Sequence, residues 1–232
     1  MSWRRALLIL LIVSLAGASP AFAKKKKSAG VMVDSLVATV DNETISIEDV
    51  QVERDILSRT NIWFSQPQPP ANPTEKDAFN EMITRSLLYN QARKMGFTEV
   101  PDDELETMLE KFRATFTSRE EYTTWLENYD LRDEDVKQTA KDLKEFRSIH
   151  RCFFRCLIIE KYLTKKIDIQ VKLGLPTYLA DHEAELRQKN PQATAEELKS
   201  LAEKELYNQK LKDHIAELKS RSNVVILRDR YN

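Results

Sequence analysis

Glycine is scarce in this chain, with four in 232 residues. Gly17 and Gly30 precede the first predicted element, which leaves Gly96 and Gly174, both placed at the ends of predicted elements. The eight prolines likewise avoid the predicted helix interiors. Because Gly and Pro are the main breakers of regular structure, this distribution excludes a fold of many turns and predicts long helices joined by short connections. Cysteine is nearly absent, which excludes a disulfide framework. Cys152 and Cys156 stand four apart on a predicted helix. That spacing puts their Cα atoms near the upper end of the disulfide range with the side chains poorly aimed, so two half-buried thiols are expected. The three histidines, His150, His182 and His214, lack metal-ligand spacing and read as ordinary surface or core residues. No G-x-S-x-G, H-E-x-x-H, P-loop or G-x-G-x-x-G motif occurs, so no cofactor, metal or catalytic residue is expected. Past residue 23 no apolar run is long enough for a membrane helix.

What is present begins with a leader. Arg4 and Arg5 precede the apolar run Ala6 to Ala16, and Ala21-Phe22-Ala23 is a small-residue cleavage site after Pro20. This pattern predicts a secretory signal peptide over residues 1–23, cut after Ala23, and hence an exported protein, with the periplasm as first expectation. Residues 24–33 read as a flexible basic tail carrying Lys24 to Lys27. Without leader and tail lysines, 30 basic residues face 37 acidic ones, a balance that excludes a nucleic-acid surface. Stable membrane insertion is not expected.

The chain is organised around Thr74 to Asp102. Thr74 is a candidate N-cap, Glu75 and Asp77 suit the first turn, and Gly96 suits the left-handed position after the last turn. Phe79, Met82, Ile83 and Leu87 form one apolar stripe, while Leu88, Ala92 and Met95 form another on the opposite side. A surface helix has one apolar face; two predict a central helix with neighbours on both sides. Before it, the alternation in Ser35 to Asp41 and again at Thr44-Ile45 predicts a short strand or hairpin, and Ser46 to Asp49 a capping box opening a helix to Arg59. Trp63 and Phe64 stand at the head of a segment broken by Pro67, Pro69, Pro70 and Pro73. Helices are predicted over 102–114, from a capping box at Ser118 to Glu121, and from about Asp130 to Lys165 with a stripe including Leu143, Phe146, Ile149 and Phe153. Arg147, Arg151 and Arg155, beside Lys144, read as a solvated ridge paired with nearby acids. Ile167 to Val171 alternates and predicts a strand. Leu175-Pro176-Thr177 opens a helix to Asn190, and a capping box at Thr194 to Glu197 opens the last one, to Ser220. Asn223 to Leu227 predicts a final strand. Short strands are not stable alone, so Val37 to Val40 is expected to pair with Val224 to Leu227.

The succession VATVDNETIS, IEDV and FNEMITRSLLYNQARKMGFTEVPDDELETML resembles the N-terminal domain of SurA-type periplasmic chaperones and foldases. The residues carrying the likeness are Leu87, Leu88, Ala92, Gly96, Val100, Asp102 or Asp103, Glu104 and Leu105. The closing LYNQKLKDHIAELKSRSNVVIL resembles the C-terminal helix and strand of the same family. The resemblance implies a mainly α, multi-helix domain over residues 34–173. Residues 174–232 complete the same core, with short strands pairing the chain ends and the last helix packing back. IDIQV followed by PTYLADHEAEL resembles the segment that leads into the parvulin isomerase domain. Only one helix fits between Val171 and Thr194, whereas a separate catalytic domain needs on the order of 50 residues or more, so isomerase activity is not expected.

The resemblance implies ATP-independent binding of unfolded exported polypeptides, above all outer-membrane precursors, through an apolar helical groove. Candidate client contacts are Trp63, Phe64, Phe112, Phe116, Trp125 and Tyr129, all aromatic and near loops or helix ends, although core packing is the stronger expectation for each. The alternative is a non-catalytic adaptor or subunit of one cell-envelope complex; a peptidyl-prolyl isomerase ranks third.

Overall fold

A hairpin opens the described chain. β1 (Leu36–Val40) and β2 (Glu43–Ser46) pair antiparallel about Asp41, whose φ of 54° suits an aspartate in a tight turn. The computed structural model describes residues 36–60, 62–65, 70–131, 133, 148–228 and 231. The expected leader and basic tail lie outside these residues, as do Pro67, Pro69, Leu143, Lys144, Phe146 and Arg147.

Ser46 ends β2 and caps α1 (Ile47–Arg59). Its hydroxyl accepts from the Asp49 amide, and the Asp49 carboxylate accepts from the Ser46 amide. The same reciprocal pair, Thr74 with Asp77, opens α2 (Glu75–Lys94), and Gly96 follows it with a φ of 86°. Both apolar stripes of α2 are buried: Phe79, Ile83 and Leu87 on one side, Leu88 and Ala92 on the other. Met95 departs from its stripe and is exposed, because the helix has ended and its backbone has left the helical register. α2 packs against α1, α5, α6 and β1. α3 (Asp102–Arg113) and α4 (Arg119–Asn128) follow. Ser118 caps α4 as expected, but Glu121 turns its carboxylate to the amide and hydroxyl of Thr117.

The largest departure lies in α5 (Ile149–Lys189), which is continuous. The strand expected at Ile167 to Val171, and the loop before Pro176, are both helical. Ile167 and Val171 are buried, Ile169 is exposed, and Leu163, Ile167, Val171 and Leu175 make one stripe at four-residue spacing. Helix and strand periods coincide over these five residues, and burial against α6 decides for helix. Gly174 therefore sits mid-helix, as does Pro176, and residue 173 is no boundary in the backbone. Pro176 leaves the Lys172 carbonyl without its helical donor, and both residues lie on the exposed side of the helix.

α6 (Ala195–Arg221), opened by the Thr194–Glu197 capping box, runs back along α5 and packs on α2. β3 (Val224–Ile226) then pairs antiparallel with β1, giving the strand order β2-β1-β3. The two chain ends thus meet as expected. Asp41 donates its amide to the Asn223 carbonyl at 2.8 Å and accepts from the Asn223 amide at 3.0 Å. The fold is mainly helical with one small antiparallel sheet, the architecture expected of a SurA N-terminal-like protein. Among the described residues no helix is long and apolar enough to cross a membrane.

Two cores result. The first joins β1, β2, α2, the middle of α5 and α6, around Val37, Phe79, Leu88, Tyr162 and Leu206. The second joins α3, α4 and the first turns of α5 around Phe112, with Ile56 from α1.

Candidate functional site

Between the two cores lies a cleft of about 640 Å³. β2 and its turn form one wall through residues 42–45, α1 contributes Val52, Glu53 and Ile56, α2 contributes Met82 and Arg85, and α5 contributes Ile149, Arg151, Cys152 and Arg155. Apolar side chains from both cores therefore face a strip of charge. Ser148 also lines the cleft, buried, with a hydroxyl that has no partner among the described residues.

Arg85 organises this strip. It is 6% exposed, and its guanidinium meets Glu53 at 2.8 Å, Glu81 at 3.3 Å, the Ile62 carbonyl at 2.7 Å and the Cys152 sulfur at 3.8 Å. Glu81, fully buried, accepts from the amides of Phe64 at 2.9 Å and Ser65 at 3.0 Å. One buried cation thereby joins α1, α2 and α5, and its partner Glu81 holds the segment carrying Trp63 and Phe64. Burial pushes the Glu53 carboxyl up to about 8. Arg85 opposes that rise, but burial outweighs it because the guanidinium is shared with Glu81 and the backbone.

Arg155 behaves differently from the solvated ridge expected. It makes a two-point contact with Glu43 on β2, one bond at 2.7 Å, and its guanidinium lies 4.5 Å from the centre of the Tyr89 ring. Burial works to raise the Glu43 carboxyl, but the bond to Arg155 and its charge outweigh it and hold the group below its ordinary range. Cys152 and Cys156 are free thiols, half-buried and buried. Their mutual hydrogen bond raises the first and lowers the second.

The six aromatic candidates divide. Phe112, Phe116 and Trp125 are buried in the second core. Phe112 is its hub, with ring centroids 5.4 Å from Phe116, 5.5 Å from Trp125 and 5.1 Å from Phe153. Tyr129 is half-buried, in edge contact with Trp125 and donating to Asp55. Trp63 and Phe64 are half-buried against the first core. None of the six lines the cleft. The buried groups Glu53, Glu81 and Arg85 escape sequence reasoning, although a signal existed for the two on α2: an ionisable side chain on a helix with neighbours on both sides has little water to face. A second groove of about 730 Å³ runs between α3 and α5, with Phe97, Met108 and Leu157 beneath a rim that includes Lys111 and the Lys161–Glu104 pair at 3.0 Å. Among the described residues no group of His, Cys, Asp or Glu is placed to hold a metal.

The family of SurA-like N-terminal domains matches residues 2–145, more than half of the chain. The chain belongs to that family. No curated protein and no solved structure matches it. Membership in the SurA-like family gives the chain a chaperone-like role, with polypeptides in general as its partners. The matched span ends before α5, yet the SurA-like core is completed from beyond it. α5, α6 and β3 supply Tyr162, Leu206 and the third strand.

Proposed function

We propose that this SurA-like chain is an ATP-independent holdase, exported to the periplasm behind a cleaved leader, that binds unfolded outer-membrane polypeptides without catalysing prolyl isomerisation. The observation that carries the reading is the cleft between the two cores, where apolar side chains stand beside a held row of arginines. Pockets for small ligands span about 300–1,000 Å³, so a cleft of this size takes a few side chains of a client at a time. Such contact is weak and reversible, which lets the client leave without a nucleotide cycle. Where the resemblance would set an isomerase domain, α5 runs unbroken and a short link through residues 190–194 leads into α6, so isomerase chemistry is left out of this proposal.

The test is light scattering from an unfolded β-barrel protein diluted out of urea. Equimolar chain, without ATP, is expected to suppress its aggregation, and a prolyl-peptide assay is expected to give only the uncatalysed rate. Unchanged scattering at equimolar chain would count against the holdase. A pull-down dominated by one folded envelope protein would replace it with an adaptor.

A further inference from the structure

β3 is an edge strand, and it is apolar on both faces. Val225 and Ile226 are each 41% exposed and the following Leu227 is 50% exposed. Along the ladder Asn223 accepts from Asp41, Val225 stands opposite Thr39, and Leu227 donates to Val37. Antiparallel strands alternate the direction of their peptide groups, so the N–H and C=O of Val224 and Ile226 point away from β1. No strand among the described residues lies on that side. An exposed apolar edge invites pairing, and proteins ordinarily blunt such edges with charge, proline or a covering element. This one carries valine and isoleucine.

We propose that the outer edge of β3 receives an extended apolar segment of an unfolded polypeptide as a fourth strand. The proposal rests on the reading of this chain as a polypeptide-binding chaperone and adds a second point of attachment. Two strand spacings, about 10 Å, separate β3 from β2, whose residues 42–45 wall the cleft, so one client can engage both. Backbone pairing supplies affinity without regard to client sequence, and apolar side chains on either face of β3 favour segments of alternating or continuous apolar character. A second copy of the chain is the poorer occupant. β3 has three residues, so a ladder between two copies buries far less than the roughly 1,200 Å² of a specific, stable interface.

The probe is an eight-residue peptide of alternating Val and Thr with Glu at each end, added to the full chain. Its binding is expected to slow exchange of the Val224 and Ile226 amides by at least about tenfold, the scale of one or two new backbone hydrogen bonds. Ile226→Pro removes an outward N–H and no bond to β1, so it is expected to keep the fold and weaken the peptide by at least about tenfold. Bound peptide with unchanged exchange at both amides overturns the proposal, as does a folded Ile226→Pro chain that binds as well as the parent. Should Ile226→Pro fail to fold, the exchange measurement on the parent chain decides alone. A parent chain that sediments as a dimer through β3 also overturns it, since the edge is then occupied. Suppressed aggregation with no peptide effect at β3 removes this inference alone, whereas failure to suppress aggregation removes the holdase reading.

Discussion

Glu53 carries the clearest consequence at the scale of single residues. Its carboxyl is raised to about 8 by burial, so between roughly pH 4.5 and 8 the folded chain holds a proton that the unfolded chain releases. Stability from this group is therefore full below the unfolded pKa and declines as pH rises through the folded one. Glu53→Gln keeps a neutral acceptor for Arg85 and removes the titration. Compared by urea midpoint, the variant should match the parent near pH 5 and exceed it at pH 8.5; parallel behaviour at both would contradict the burial argument. The charges in this site were the part least legible in the sequence. Glu81 and Arg85 form an i, i+4 pair of the kind that decorates exposed helices, and only the double stripe around them hinted at burial. Arg155 failed for the same reason, since its partner Glu43 is distant in sequence and belongs to β2.

At the scale of elements, capping chemistry was legible and periodicity less so. Ser46, Thr74 and Thr194 each fix a helix start through a reciprocal bond that is local in sequence. Ile167 to Val171 misled because five residues with apolar positions 167, 169 and 171 satisfy a two-residue period, while the four-residue stripe from Leu163 to Leu175 needs a longer window. The helical assignment has its own test. A Cβ at Gly174 would meet Leu206 Cδ2 at 3.5 Å, ordinary contact, and glycine in a helix interior costs about 0.5–1 kcal/mol relative to alanine. Gly174→Ala should stabilise the chain by about that amount in chemical denaturation. Destabilisation would indicate a broken helix there. Gly96, at a φ of 86°, should respond in the opposite sense to the same substitution.

The molecule as a whole depends on closing its C-terminal end over its N-terminal half. Besides β3, Tyr231 stacks on Phe79 with centroids 4.8 Å apart and donates to Glu75 at 3.2 Å. Removing that buried ring by Tyr231→Ala should cost about 2–3 kcal/mol, read as a lower urea midpoint; an unchanged midpoint would mean the end is not held. This closure was legible, because two short strands at opposite ends of a helical chain have few partners but each other. The cleft was not, since it arises where two cores face each other, and no single segment records that. The most direct test of its role is photo-crosslinking. A benzophenone amino acid at Val52 or Met82, which wall or flank the cleft, should capture an unfolded β-barrel polypeptide diluted out of urea, while one at exposed Lys189 on the far end of α5 should not. Capture from Lys189 as strong as from Val52 and Met82, or none from the two cleft positions, would contradict the cleft as the place where clients are held.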